Sequence, residues 1–190
     1  MPGLSVTSGT HQRADGFSLS FRKRGILILP VVAALVVLVD QLSKYLVMAR
    51  LGTGQSWEIA PWLAPVFRVT HVTNTGAAFG LFREWGDFFV VVATIVIVVI
   101  IFYYHHLPDG QRLMRVALGL QLGGAIGNLV DRLRQGFVVD FIDLNFWPLR
   151  EWPVFNVADS SIVAGVVLLA LLMIWEERRE WEKRRAAENG

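Results

Sequence analysis

The sequence predicts an all-α membrane protein in which four transmembrane helices carry a small extracytoplasmic β element. Hydrophobic residues make up 54% of the 190-residue chain and charged residues only 18%, a balance typical of polytopic membrane proteins. The hydrophobic residues gather in four segments that are each long enough to cross a bilayer. Basic residues lie near the ends of these segments, as they do at the flanks of transmembrane helices. We therefore expect one compact four-span domain in contact with membrane lipids.

The first span follows a polar tail. Residues 1–24 are rich in Ser, Gly and Thr and end in a basic cluster, which predicts a disordered cytoplasmic N-terminal tail. The run Ile26–Met48 is then almost entirely apolar and predicts a helix that crosses the membrane. A cleaved signal peptide is the alternative, with a poor cleavage site at Val47–Ala49. Asp40 and Lys44 lie inside the apolar run and favour the transmembrane helix.

The second and fourth spans are the most apolar parts of the chain. Phe88–Tyr104 consists of little else than Val, Ile and Phe, and lipid requires such a segment to be helical because its backbone must satisfy its own hydrogen bonds. Phe155–Trp175 is the fourth span, and the Glu- and Arg-rich residues 176–190 predict a solvated helix end that forms the cytoplasmic C-terminal tail. The predicted four-span domain therefore occupies residues 25–175.

The third span, Leu113–Val130, has a different composition. Gly119, Gly123 and Gly127 recur every four residues, a spacing that lets one helix backbone press against another in a membrane. We expect this helix to lie at the centre of the bundle.

The basic residues and tryptophans predict the orientation. The N-terminal cluster and four arginines lie on the side of the termini, which marks that side as cytoplasmic. These arginines are Arg112, Arg115, Arg178 and Arg179. The tryptophans of the two longer loops suit an aromatic layer at the opposite, extracytoplasmic surface: Trp57, Trp62, Trp85, Trp147 and Trp152. In the first of these loops, Val66–Thr73 alternates in the period of a strand and predicts a small sheet at the membrane surface.

Composition argues against several kinds of site. The chain has no cysteine, so disulfides, thiolate metal sites and a cysteine nucleophile are absent. Its four histidines lack a metal-ligand spacing, and we expect no metal. The net charge of +2 is small and the basic residues form no extended patch, so we expect no nucleic-acid partner.

Ionisable residues within or beside membrane spans are costly and are therefore candidates for function. Asp40 and Lys44 lie four residues apart on the first span, share a helix face and predict a structural ion pair more than a direct chemical role. Asn128, Asp131 and Arg132 close the third span, with Asn128 and Arg132 on one face and Asp131 adjacent. They predict a polar helix end that orients the following loop, with direct substrate contact as the alternative.

Two further aspartates lie in contrasting surroundings. Asp140 sits in the apolar run Val138–Ile142, and apolar burial raises the pKa of a carboxylate. Asp159 falls in the first turn of the fourth span, where a helix N-terminus stabilises negative charge. Such a contrast is what an acid/base pair needs. Structural alternatives remain open for both: Asp140 as a loop aspartate, and Asp159 as the partner of Asn156 in a capping box.

Several blocks of the sequence, in the same order along the chain, resemble the lipoprotein signal peptidase (signal peptidase II) family. They are Val36–Lys44 (VVLVDQLSK), Asn74–Gly80 (NTGAAFG), Gly123–Arg132 (GGAIGNLVDR), Val139–Phe141 (VDF) and Phe155–Ser160 (FNVADS). The resemblance covers about residues 25–175.

This resemblance implies a metal-free and cofactor-free aspartic endopeptidase with Asp140 and Asp159 as its catalytic pair. Residues that line or support the pocket would be Asn74, Gly76, Asn128, Arg132, Asn156, Asp40 and Lys44. The family removes signal peptides from diacylglyceryl-modified prolipoproteins, cleaving before the lipidated cysteine at the outer face of the bacterial cytoplasmic (inner) membrane. The resemblance also implies inhibition by cyclic peptide antibiotics, and a surface sheet and lid within about residues 51–85.

Two other classes are alternatives. A membrane protein that moves ions or protons, or helps partners to assemble, would also hold ionisable residues in its interior. It would need a polar path across the whole membrane, whereas the cytoplasmic halves of the predicted spans are almost purely apolar. A presenilin-like protease is the nearer alternative, but the sequence lacks the Gly-x-Gly-Asp pattern of those enzymes.

Overall fold

A computed structural model describes residues 25–76 and 86–188, which form four long helices and one three-stranded antiparallel sheet. The helices are α1 (Ile28–Arg50), α2 (Gly86–His105), α3 (Arg112–Gln135) and α4 (Val157–Glu188). The strands are β1 (Ser56–Trp57), β2 (Phe67–Asn74) and β3 (Val138–Leu144), and a short 3-10 helix occupies Leu149–Glu151. The predicted N-terminal tail, and the part of the expected lid at residues 77–85, lie outside the described residues.

All four helices are long and apolar enough to cross a membrane, so the predicted four-span fold is confirmed. Two helices run further than their apolar runs suggested. Helix α3 continues to Gln135 and ends at Gly136, which adopts a left-handed conformation and donates its backbone N–H to the carbonyl oxygen of Arg132. Helix α4 continues through the charged tail to Glu188. The length of an apolar run predicts the part of a helix that contacts lipid. It does not predict where the helix ends, because polar residues can continue the same backbone hydrogen bonds.

Helix α3 lies at the centre of the bundle, as its glycines predicted. In its most apolar stretch 61% of the residues are buried, against 6% in α2. A Cβ atom added to Gly123 would lie 2.6 Å from the Cβ of Val36 on α1, and one added to Gly124 would lie 2.4 Å from the carbonyl oxygen of Ala158 on α4. Only glycine at these positions lets three helix backbones approach so closely.

The sheet joins the two longer loops in the order β1-β2-β3. Strand β2 confirms the strand predicted for Val66–Thr73, shifted by one residue. Strand β3 was not predicted, and the loop interpretation of Asp140 was wrong. Residues 138–141 are all buried, so their side chains show no polar alternation from which a strand could be recognised. The pairing places Val72 opposite Asp140 and Asn74 opposite Val138.

The apolar core lies at the opposite end of the bundle from the sheet. It includes Leu29 at the start of α1, Ile100 near the end of α2, and Leu118 on α3. Arg115, which had been counted among the flanking charges, is buried here and donates to the carbonyl oxygens of Leu107 and Pro108. Arg115 therefore stabilises the turn between α2 and α3. The other core residues at this end of the bundle are apolar and pack against one another.

Candidate active site

A cavity of about 620 Å³ opens where α3 ends, β3 begins and α4 starts. Asp140 and Asp159 both line it, and so do four other residues predicted from the sequence: Asn74, Gly76, Asn128 and Arg132. The remaining predicted residues, Asn156, Asp40 and Lys44, lie behind this wall and bond to it. The structure therefore brings every predicted site residue into one connected network. Residues 77–80 of the glycine- and alanine-rich block lie outside the described residues.

Asp140 lies on β3 with only 2% of its surface exposed. Its Oδ1 accepts a hydrogen bond from Asn156 Nδ2 at 2.6 Å, and its Oδ2 accepts one from Asn74 Nδ2 at 3.0 Å. The backbone N–H of Gly76 donates to Asn74 Oδ1, which fixes the direction of that amide. Burial, together with the nearby Asp159 charge, raises the pKa of Asp140 to about 7, although both amide hydrogen bonds act in the opposite direction.

Asp159 belongs to the first turn of α4 and completes the predicted capping box. Its backbone N–H donates to Asn156 Oδ1 at 2.9 Å, and its Oδ2 accepts from the backbone N–H of Asn156 at 3.3 Å. Its Oδ1 accepts from Asn128 Nδ2 at 2.7 Å. The capping interaction holds the carboxylate against the cavity wall, so a capping role and a chemical role for Asp159 are compatible.

The predicted ion pair between Asp40 and Lys44 is confirmed, and it has a third member. Lys44 Nζ lies 2.8 Å from Asp40 Oδ2 and 2.8 Å from Asp131 Oδ2 on α3. Asp40 Oδ1 accepts from the backbone N–H of Ala158 at 2.9 Å, which satisfies a free donor in the first turn of α4. Asp131 accepts a hydrogen bond from the backbone N–H of Val139, beside Asp140. This charged cluster ties α1, α3, α4 and β3 together directly behind the carboxylates.

Arg132 connects α3 to the segment that follows β2. Its guanidinium donates to the carbonyl oxygens of Asn128 and Gly76, each at 3.4 Å, and lies 5.4 Å from the ring centre of Phe89 on α2. The expected role was to orient the loop that follows α3, whereas the contact with Gly76 is with the segment that follows β2. These contacts hold the guanidinium in the cavity wall near both carboxylates.

Several site residues were not predicted. Gln41 donates to Asp131 Oδ1 and to the carbonyl oxygen of Gly127, and its place in the Val36–Lys44 block was the signal for it. Trp152, Pro153 and Val154 line the cavity beside the carboxylates. The sequence marked Trp152 only as a membrane-surface tryptophan, because all three residues reach the cavity through the path of the loop between β3 and α4.

Comparison with known proteins identifies the family. Residues 32–175 match the family model for signal peptidase (SPase) II. The lipoprotein signal peptidase of Moorella thermoacetica is 45% identical over 153 residues, which span 79% of this chain and 97% of that protein. That of Geobacter metallireducens is 42% identical over 156 residues, spanning 80% and 94%. A solved bacterial membrane enzyme superposes with a TM-score of 0.69 at 32% identity, covering 77% of this chain and 87% of that one.

These matches favour the enzyme over the transport and assembly alternatives, and they extend over the helices and strands that build the cavity. The chain therefore belongs to the signal peptidase II family of aspartic peptidases, and its activity is that of a lipoprotein signal peptidase.

Proposed function

We propose that Asp140 and Asp159 are the catalytic pair of this peptidase, and that it cleaves diacylglyceryl-modified prolipoproteins before the lipidated cysteine. The supporting observation is that both carboxylates line one cavity and that each of their four oxygens accepts a hydrogen bond from an amide. Donors on every oxygen hold the two groups in fixed orientations. Fixed, buried carboxylates facing a common space suit an aspartic peptidase.

The proposed mechanism of peptide hydrolysis needs two carboxylates that share one proton, so that one is ionised and the other is protonated. The ionised carboxylate takes a proton from a water molecule, whose oxygen attacks the carbon of the scissile carbonyl, while the protonated carboxyl donates to the carbonyl oxygen. The carboxyl that took the proton from water then gives it to the amide nitrogen, the other carboxylate takes back a proton from a hydroxyl of the tetrahedral intermediate, and the carbon–nitrogen bond breaks. The signal peptide leaves with a new carboxylate, and the cysteine gains a free amino group. A pKa of about 7 for Asp140 suits a group that holds and releases this proton near neutral pH.

The cavity wall supports an apolar substrate. Asp159, Val163 and Val167 lie at intervals of four residues on α4, so they share one helix face that extends about 12 Å from the carboxylate into the span. Ile162 and Phe155 add to the same apolar surface. Part of a signal peptide helix or a diacylglyceryl group fits such a wall, since both partition into lipid.

The proposed orientation puts the cavity at the outer face of the bacterial cytoplasmic membrane and both termini in the cytoplasm. Arg112, Arg178 and Arg179 lie at the end of the bundle opposite the cavity and support this orientation. Trp57, Trp62 and Trp147 are exposed on the loops at the cavity end, where they suit contact with the lipid headgroup region. Cyclic peptide antibiotics with apolar groups would fill the same cavity and act as inhibitors.

The test is cleavage of a diacylglyceryl-modified prolipoprotein by the purified protein in detergent, beside Asp140→Asn and Asp159→Asn. Both variants should lose cleavage while keeping the melting profile of a folded protein. Asp143→Asn is the matched control, because it makes the same change on the same strand at a residue that pairs with Arg68 away from the cavity. Wild-type cleavage by either of the first two variants would refute the catalytic pair.

A further inference from the structure

Lys44 is the best-connected charge behind the cavity wall. Its side chain is only 1% exposed, and its ammonium group contacts Asp40, Asp131 and Asn128 Oδ1, the last at 3.0 Å. An ammonium group has three donors, and these three acceptors account for all of them. Two of the contacts neutralise charge, whereas the third reaches a neutral amide that touches Asp159.

The amide of Asn128 has one orientation that satisfies its surroundings. Its Oδ1 accepts from Lys44 Nζ at 3.0 Å and from Asn156 Nδ2 at 3.2 Å, and its Nδ2 donates to Asp159 Oδ1 at 2.7 Å. A flipped amide would set its NH2 group against two donors and leave its oxygen facing the Asp159 carboxylate. Lys44, as the charged one of these two donors, acts together with Asn156 to set which end of Asn128 points at Asp159.

Stability alone does not account for a lysine at this position. Removing an ammonium and two carboxylates from water is costly, and apolar side chains of similar volume often fill such a space with equal or greater stability. A cationic donor at Asn128 Oδ1, however, gives the amide a fixed direction that apolar packing cannot provide. A charge-assisted hydrogen bond of this kind is also stronger than one between neutral groups.

We infer that Lys44 is a positioning residue for the reaction: it locks the side-chain amide of Asn128 so that Nδ2 donates to Asp159 and holds that carboxylate in its catalytic orientation. This inference rests on the proposed role of Asp159. It assigns the buried ion pair on α1 a function in the catalytic step, in addition to holding helices together.

The same charge acts on the neighbouring carboxylate. Asp140 is surrounded by Asp159 from α4, Lys44 from α1 and Arg132 from α3, together with the amides of Asn74 and Asn156. Burial and the Asp159 charge raise the pKa of Asp140, and the Lys44 charge lowers it. Loss of Lys44 should therefore move the part of the pH–rate profile that reports on Asp140 to higher pH.

The experiment compares steady-state cleavage of a lipidated prolipoprotein by wild type, Lys44→Met and the double variant Lys44→Met/Asp40→Asn. The double variant keeps the net charge of the cluster unchanged, and the asparagine that replaces Asp40 keeps an oxygen for the N–H of Ala158. Lys183→Met is the matched control, since Lys183 is exposed on the far end of α4. We expect the double variant to lose about a hundredfold in kcat with little change in KM, because a displaced catalytic group slows the chemical step more than binding.

Three results would overturn the inference. They are a kcat within about twofold of wild type in the double variant, a loss confined to KM, and a double variant that no longer folds. The last would make Lys44 a scaffold residue. The proposed catalytic role of Asp159 is tested separately by Asp159→Asn. An inactive Asp159→Asn beside a fully active double variant would remove only the role of Lys44.

Discussion

Asn156 bonds to both proposed catalytic carboxylates: its Nδ2 lies 2.6 Å from Asp140 Oδ1, and its backbone N–H donates to Asp159 Oδ2, while its Oδ1 caps the backbone N–H of Asp159. One residue thus joins the end of the loop after β3 to the first turn of α4. The two functions of its side chain can be separated by substitution, because capping needs only an acceptor and the contact with Asp140 needs a donor on the amide nitrogen.

We predict that Asn156→Ala and Asn156→Ser have similar activities and different stabilities. Both variants lose the buried amide, but serine is a good N-cap and alanine is not, so Asn156→Ala should be about 1 kcal/mol less stable than Asn156→Ser in the free energy of unfolding. Neither can reach Asp140 as the asparagine amide does, so both should show a strongly reduced kcat. Thermal unfolding and cleavage assays on the same samples measure the two effects. Wild-type kcat in Asn156→Ser would show that the contact with Asp140 is dispensable.

The raised pKa of Asp140 predicts a pH-dependent stability. Its folded pKa of about 7 lies above the ordinary carboxylate value of 3.8, so the folded state binds the proton more tightly than the unfolded state. This contribution favours folding at low pH and is lost as the pH rises from about 4 to about 7. Asp140→Asn cannot ionise, so its Tm relative to wild type should increase between about pH 4.5 and about pH 8. An unchanged difference across this range would contradict the raised pKa.

Close helix packing at Gly123 predicts a large cost for a single methyl group. Gly123→Ala would bring its Cβ to 2.6 Å from Val36 and 2.8 Å from the carbonyl oxygen of Ala33, so α1 would have to move away from α3. We expect a loss of about 1–3 kcal/mol in stability. Gly86→Ala is the control, since a Cβ there meets nothing within 4 Å. Denaturant titration in mixed micelles compares the two, and equal stabilities would show that α1 is free to shift.

The positions of two tryptophans in the loop between β3 and α4 predict that their substitutions affect KM differently. Trp152 lines the cavity, whereas Trp147 is 88% exposed and does not. Trp152→Ala removes apolar surface from the cavity wall and should raise KM for a lipidated substrate about tenfold. Trp147→Ala should leave KM near the wild-type value. Equal KM values for the two variants would place the substrate elsewhere than against Trp152.

The helices of this protein could be predicted because each depends on local composition. Lipid requires an apolar segment to become a helix, and the glycine spacing of α3 identifies its neighbours' close approach without any knowledge of tertiary structure. The capping box of Asn156 and Asp159, and the pair of Asp40 and Lys44, were likewise recognisable from spacings of three and four residues.

The features that the sequence did not predict depend on contacts between segments that are far apart in the chain. Strand β3 has a fully buried first half, so its pattern does not distinguish it from an apolar loop. Asp131 was recognised only as a helix end, because its contact with Lys44 joins two helices that are far apart in the sequence. Arg115 illustrates the reverse case, since its position at a span end suggested a free cytoplasmic charge and its burial made it part of a turn.

The length of α4 has a mechanical consequence. Its 32 residues form one unbroken helix about 48 Å long, against about 30 Å for the hydrocarbon core. Roughly 18 Å of helix therefore extends beyond the hydrocarbon core at the end opposite Asp159. A spectroscopic label fixed to residues near Glu188 would turn and tilt as one body with the helix that carries Asp159. A label at this end of α4 can therefore report motions at the cavity without altering any residue that lines the cavity.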